Sequence, residues 1–400
     1  MRLENKCDLQ SLIDGVRTQI LSESENPDSM EVMEMIEHTV LNSNHDLSLN
    51  EAEELIWKIY AKTRSKLGIL ERYINNDSVN EIMINGKNNL FVETGKGIIR
   101  ENNLFDSTEE LEEIIRNIAA GVHREINEMN PILDARLHDG SRVNAVYRNV
   151  AVGGPAVTIR KFAKERITID EMVIKKTLTA ECADYLETLV KCGYNIFISG
   201  GTSSGKTTFL NALADFIPKD QRVIVIEDSA ELQLSQIDNL VQMECHNANT
   251  MGQGEISMEM LIKTSLRMRP DRIIVGEVRG REVSDMLQAM NTGHDGSMST
   301  GHGNSVAGML RRLEAMYLMG SQIPLDAIRA QIVEGIDIMV HLGRLEDGSR
   351  KVLEIQELVD FSDGKYILNP LFLMRETINL EYTKNQLKNS SKLRLRGVRL

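Results

Sequence analysis

Hydrophobic positions divide this chain into stretches of different period. Leu9, Leu12, Ile13, Val16 and Ile20 recur three and four apart, and Met30, Met33, Ile36, Val40 and Leu41 repeat the spacing after a break at Asn26-Pro27-Asp28. Such spacing puts apolar side chains on one face of a helix. Ser48 and Glu51 have the spacing of a capping box ahead of a third stripe, Leu55, Ile56, Ile59 and Tyr60. Residues 1–68 therefore read as a small helical bundle. Between 69 and 160 the period shortens. Glu81 to Asn85 and Asn89 to Glu93 flank a turn at Gly86-Lys87-Asn88, a helical stripe runs from Leu111 to Ala119, and strands follow at Ser141 to Tyr147 and Ala156 to Arg160. This predicts a mixed α+β domain, joined by a polar linker over 161–176 to a third region.

From 177 to 375 apolar runs alternate with helical stripes, the pattern of a parallel sheet in an α/β fold. The runs are Asn195 to Ser199, Val223 to Glu227, Leu240 to Met243, Arg272 to Val275 and Gly296 to Thr300. Ile338 to Leu342 and Val352 to Leu358 flank Asp347-Gly348, which predicts a hairpin. Residues 376–400 read as a basic tail, with Lys384, Lys388, Lys392, Arg394, Arg396 and Arg399.

Charge narrows the class of partner. The net charge is −13, and residues 1–60 hold 13 acidic against 4 basic residues, so −9 of it sits in the opening segment. That balance argues against coating duplex DNA, which requires phosphate neutralisation. No apolar run reaches the ~20 residues of a membrane span, and Met1-Arg2-Leu3-Glu4-Asn5-Lys6 lacks the apolar core of a secretory signal. The expectation is a cytosolic chain able to work at a membrane surface. Cys7, Cys182, Cys192 and Cys245 form no Cys-x-x-Cys pair, so they predict reduced thiols and no zinc.

The sharpest chemistry lies at Gly200-Gly201-Thr202-Ser203-Ser204-Gly205-Lys206-Thr207, which fits G-x-x-x-x-G-K-[ST]. An apolar run ends just before it, and a helical stripe of Phe209, Leu210, Leu213 and Phe216 follows, the context the motif requires. Glycines let the backbone amides converge on phosphates, and the helix adds its positive end. Lys206 supplies a point charge for the β- and γ-phosphates, and the Thr207 hydroxyl suits Mg²⁺. The loop by itself indicates a bound nucleoside triphosphate, cradled by Gly201, Thr202, Ser203, Ser204, Gly205 and Thr208 besides Lys206 and Thr207.

Three clusters refine this. Val223 to Glu227 ends in acids, Glu227 and Asp228, followed by Glu231; carboxylates at strand ends line the ligand crevice of such sheets and suit Mg²⁺ or a water. Arg272 to Gly276 ends in Glu277, a candidate to accept a proton from water or align it. His294 and His302 flank a short strand in a glycine-rich stretch, where a histidine can hydrogen-bond a γ-phosphate.

In this order these pieces resemble the type II/IV secretion ATPase superfamily. Gly200 to Thr207 resembles its Walker A element, Val225 to Glu231 its Asp box, Ile273 to Glu277 its Walker B and Thr292 to His302 its His box. Asp77 to Gly86, Leu137 to Ala145, Thr158 to Phe162 and Leu266 to Arg272 resemble the CpaF/TadA branch, the ATPases of Flp (tight-adherence) pili. The Asp box reads Glu-Asp-Ser-Ala-Glu rather than Glu-Asp-Pro, which fits that branch. The resemblance implies a RecA-like P-loop domain preceded by a smaller α+β domain, ATP/ADP and Mg²⁺ as ligands, and a homohexameric motor. Its partners would be inner-membrane platform proteins, it would sit at the inner face of the cell membrane, and nucleic acid is not expected. It also implies that Arg142 and Arg160 reach the γ-phosphate. Some relatives carry a tetracysteine zinc module that is missing here, so no zinc is expected. The competing expectation is a nucleic-acid motor on the same core, for which the basic tail is the support.

Overall fold

The structure, a computed structural model, describes residues 13–16, 18–19, 29–42, 48–63, 65–95, 97–101, 105–137, 139–162, 166–246, 253–375 and 379–398. Cys7, Leu9, Leu12 and Ile20 lie outside these. The chain divides into two compact units, Met1–Lys164 and Glu165–Leu400.

In the first unit the helices Ser29–Asn42 and Leu49–Thr63 bury Val32, Ile36 and Val40 with Leu55, Ile59 and Tyr60. The predicted capping box forms: Ser48 N donates to Glu51 Oε2 at 2.9 Å, and Glu51 N to Ser48 Oγ at 3.4 Å. Six antiparallel strands follow: β1 (Val79–Asn85), β2 (Leu90–Thr94), β3 (Gly97–Glu101), β4 (Ile132–Arg136), β5 (Arg142–Val146) and β6 (Ala156–Arg160), in the order β3-β2-β1-β6-β5-β4. Alternation decides which face is inside. Ile82, Ile84, Val143, Ala145, Val157 and Ile159 bury against Leu111, Ile114, Ile115 and Ile118 of the helix Thr108–Gly121. Arg142 and Arg160, one residue out of that phase, belong to the other face.

The second unit is built on nine strands: β7 (Ile196–Gly200), β8 (Val223–Glu227), β9 (Leu240–Glu244), β10 (Arg272–Val278), β11 (Met298–His302), β12 (Ile338–Arg344), β13 (Arg350–Ser362), β14 (Lys365–Met374) and β15 (Leu380–Tyr382). Their order is β15-β14-β13-β12-β7-β11-β10-β8-β9. The run from β12 to β9 is parallel, while β13 to β15 add an antiparallel meander. Strands covered on both faces read as continuous apolar runs because each alternate residue finds its own core. Ile196 and Ile198 join one cluster with Leu186, Leu189 and Leu210, while Phe197 joins the other with Leu287, Leu310 and Ile332. This is an α/β sheet of RecA-like type. The hairpin expected around Asp347-Gly348 forms between β12 and β13, with Gly348 at φ +82°.

Two stretches differ from their reading as connectors. Within 161–176 the helix Ile169–Ile174 forms behind a Thr168–Glu171 capping box and buries Met172. Within the basic tail β15 joins the sheet, and Leu393 is buried. Lys392 ion-pairs with both Asp295 and Asp337 at 2.8 Å. Apolar residues spaced between cations, Leu380, Leu387, Leu393 and Val398, carry this packing. They are too sparse to show a period.

Candidate nucleotide-binding site

Four elements meet at the carboxyl edge of the parallel sheet. From β7 the chain enters the loop at Gly201 and starts the helix Lys206–Ala214 behind Gly205, which caps it with left-handed φ of +90°. At Gly200 a Cβ would come 2.6 Å from the Leu342 carbonyl oxygen and 2.5 Å from Ser204 Oγ. Leu342 is the register partner of Gly200, so neither neighbour has room to yield. Lys206 is 7% exposed. Its ammonium donates to the carbonyls of Gly201 at 3.1 Å and Gly200 at 3.4 Å. Burial pushes its pKa below the ordinary lysine value, and the nearby Glu277 charge opposes the shift.

β11 lies between β7 and β10, which brings His302 beside both Lys206 and Glu277. His302 Nδ1 is 3.3 Å from Lys206 Nζ and its Nε2 is 2.9 Å from Glu277 Oε1. Beside an ammonium Nδ1 is the acceptor, so the ring proton sits on Nε2, toward the carboxylate. That N–H is not aimed along the line to Oε1, which accepts no formed hydrogen bond, and the contact is a close polar approach. Burial lowers the His302 pKa from the ordinary value of 6.5 despite the Glu277 charge, so the ring is neutral at pH 7. On the other side Arg279 Nη2 pairs with Glu277 Oε2 at 3.2 Å, and Nη1 lies 3.8 Å from Asp228.

Glu227 is 4% exposed. Its Oε1 accepts the amides of Glu231 at 2.9 Å and Leu232 at 3.1 Å, so this carboxylate shapes the turn after β8. Its stem lies on Gly276, where a Cβ would come 2.9 Å from Glu227 Cγ. The glycine before Glu277 is there to admit Glu227. Glu231 enters through its amide, and Asp228 is exposed. Thr207 and Thr208 are half-buried in the first turn of the helix, whereas Thr202 and Ser203 are exposed.

His294 is not brought into this cluster. Its Nδ1 lies 3.0 Å from the Ala289 carbonyl, at the end of the helix Val283–Asn291. His302 ends β11, whereas His294 lies before its first residue, Met298, so a strand about 13 Å long separates the two histidines. Expecting both at the phosphates treated nearness in sequence as nearness in space.

In the first unit Arg142 and Arg160 are register partners, and Arg136 faces Arg142 from β4. Three adjacent arginines in one row are costly without a counter-charge, because directly opposed like charges repel. Arg136 was missed, although hairpin symmetry about the 137–141 turn pairs it with Arg142. Arg279 gains its place only from the fold, which lets it bridge Glu277 and Asp228.

Residues 63–344 match the family model described as Type II/IV secretion system protein. The chain belongs to the type II/IV secretion ATPase family. Among family relatives, the conjugal transfer protein TrbB of Rhizobium radiobacter is 34% identical over 297 residues, 73% of this chain and 88% of that protein. Protein MJ0781 of Methanocaldococcus jannaschii is 42% identical over 250 residues, 60% of this chain; the match spans only 34% of that longer relative. The Legionella pneumophila ATPase DotB shares the fold, with a TM-score of 0.52 at 22% identity over 74% of this chain and 81% of that one. Among the described residues no helix is long and apolar enough to cross a membrane, and no group of three or more His, Cys, Asp or Glu side chains is placed to hold a metal ion.

Proposed function

We propose that this family member is a homohexameric motor that hydrolyses ATP to drive pilus assembly or protein secretion through an inner-membrane platform, and that it is of the CpaF/TadA type. The observation that carries the hydrolytic reading is the chain of contacts Lys206–His302–Glu277–Arg279 at the sheet's carboxyl edge. Lys206 rests on loop carbonyls and is free to move onto phosphate when a nucleotide arrives. Glu277 is the group to align and deprotonate the attacking water. Arg279 holds its Oε2 by a hydrogen bond, and His302 lies against its Oε1. The Thr207 hydroxyl, half-buried in the first turn of the helix behind the loop, suits the Mg²⁺ role proposed for this position. Glu227, already holding two amides, would serve the ion through water. Mg²⁺ on the triphosphate would offset charge on the transferring group.

The branch assignment is supported by the Asp box Glu227-Asp228-Ser229-Ala230-Glu231 and by the row of N-terminal arginines. The same assignment places the protein in the cytoplasm, peripherally bound at the membrane platform. The nucleic-acid alternative loses ground, because Lys392 of the basic tail is paired within the fold. Turnover assays with ATP and Mg²⁺, with and without duplex DNA, test this reading. We expect turnover that rises more than linearly with protein concentration and ignores DNA. Steeply salt-dependent stimulation by DNA would favour the alternative, and absence of turnover would refute both.

The pH profile is a second test. A His302 pKa lowered on folding means that the unfolded chain binds the proton more readily. The stabilisation from the neutral ring is then present above pH 6.5 and lost as pH falls toward the folded value. Protonation also places a cation beside Lys206 and removes the Nδ1 acceptor. Turnover should fall on the acid side with a midpoint below 6.5, and His302→Gln should lack that limb.

A further inference from the structure

The phosphate loop is braced from a direction that its own motif does not supply. Arg350, the first residue of β13, donates from Nε to the Ser203 carbonyl at 3.0 Å. Its stem lies over Gly205, where an added Cβ would come 3.0 Å from Arg350 Cδ. Both loop residues that it touches have left-handed backbone, φ +58° at Ser203 and +90° at Gly205. For serine this is a sparsely populated conformation, which persists only where the surroundings enforce it.

The strand that carries Arg350 is itself fixed. It pairs with β12 at Arg344↔Arg350 and Gly343↔Lys351, and β12 pairs with β7 at Leu342↔Gly200. The two following residues are tied to the segment after the Ile169–Ile174 helix. Lys351 Nζ donates to the Lys176 carbonyl at 2.6 Å, and Val352 N to that of Thr177 at 2.9 Å. Arg350 thus reaches the loop from a framework of sheet pairing and backbone hydrogen bonds. Gly205 makes room for its stem, so the loop and the arginine are fitted to each other.

We infer that Arg350 is a positioning residue for the nucleotide: it holds Ser203 and Gly205 in the shape in which the loop amides converge on phosphate. The inference rests on the reading of this loop as a nucleotide site. A brace of this kind acts alike on ground state and transition state, so it sets affinity rather than chemical rate.

The test is titration of the full chain with a fluorescent ADP analogue and Mg²⁺, alongside steady-state turnover. Arg350→Met keeps an unbranched stem over Gly205 and removes the donor. Arg350→Lys keeps the charge but carries its amine one bond beyond the position of Nε. We expect Arg350→Met to weaken ADP binding about tenfold, to raise KM for ATP by the same factor and to leave kcat within about twofold. Arg350→Lys should lose nearly as much. Because Arg350 is exposed, thermal midpoints should stay close to wild type; if Arg350→Met does not fold, Arg350→Gln takes its place. Wild-type ADP affinity in the Met variant, full rescue by Lys, or a fall in kcat at unchanged KM each overturns the inference while the nucleotide reading stands. Failure of the wild-type chain to bind ADP removes both.

Discussion

Glu277→Gln should reduce turnover by at least about 10²-fold, the lower bound for a positioned general base, while nucleotide binding is retained. Gln preserves the size of the side chain and a hydrogen-bond acceptor for Arg279, so the cluster keeps its shape. What it loses is the basic oxygen and the negative charge. The loop that holds phosphate lies on β7 and the following helix, two strands away from Glu277, and does not depend on it. Removing a carboxylate from the neighbourhood of a triphosphate favours binding, if it changes it at all. A second consequence separates this variant from a misfolded one. The Glu277 charge raises the pKa values of both His302 and Lys206 against the effect of burial. In the Gln variant the His302 resonance should titrate at still lower pH by NMR. A wild-type rate for the Gln variant in single-turnover assays, with enzyme in excess of ATP, would remove Glu277 from the mechanism.

Arg142→Ala should slow hydrolysis about 10³-fold or more, within the range of an arginine finger, and leave ADP affinity nearly unchanged. β4, β5 and β6 set Arg136, Arg142 and Arg160 side by side, with Glu81 of β1 as the next register partner beyond Arg160. Arginines in register on one face of the sheet make a cationic row, and a transferring phosphoryl group is the anion that Arg142 would meet in the proposed cycle. ADP lacks that group, hence the predicted separation of rate from ADP affinity. Parallel measurement of kcat and ADP binding checks it. A large loss of ADP affinity would place Arg142 elsewhere in the cycle, and unchanged kcat would make the row an ordinary surface feature.

Much of the site was legible because its chemistry is local. The loop, the helix behind it and the acid after an apolar run are each written in consecutive residues, since adjacent backbone atoms make the cradle. The histidines show where that stops. His294 and His302 lie in one glycine-rich stretch of sequence, and only the direction of β11 sets His302 beside Lys206 and Glu277 and leaves His294 at the end of the Val283–Asn291 helix. Arg350 lies 147 residues from the carbonyl it holds, and no spacing rule spans that distance. The basic tail was misread for a related reason: its cations are conspicuous in one dimension, whereas Leu393 and the partners of Lys392 emerge only when the sheet is assembled.

By itself, then, the order of residues determined the class of sheet, the strand–glycine loop–helix and the carboxylate proposed as hydrolytic, because backbone periodicity and short-range geometry settle these within a few residues. Tertiary structure alone decided which strand lies between β7 and β10, which histidine therefore stands beside Lys206 and Glu277, why Gly200 and Gly276 must be glycine, and which arginines stand in a row. Those facts depend on close approach between segments far apart in the chain, which packing rather than local propensity imposes.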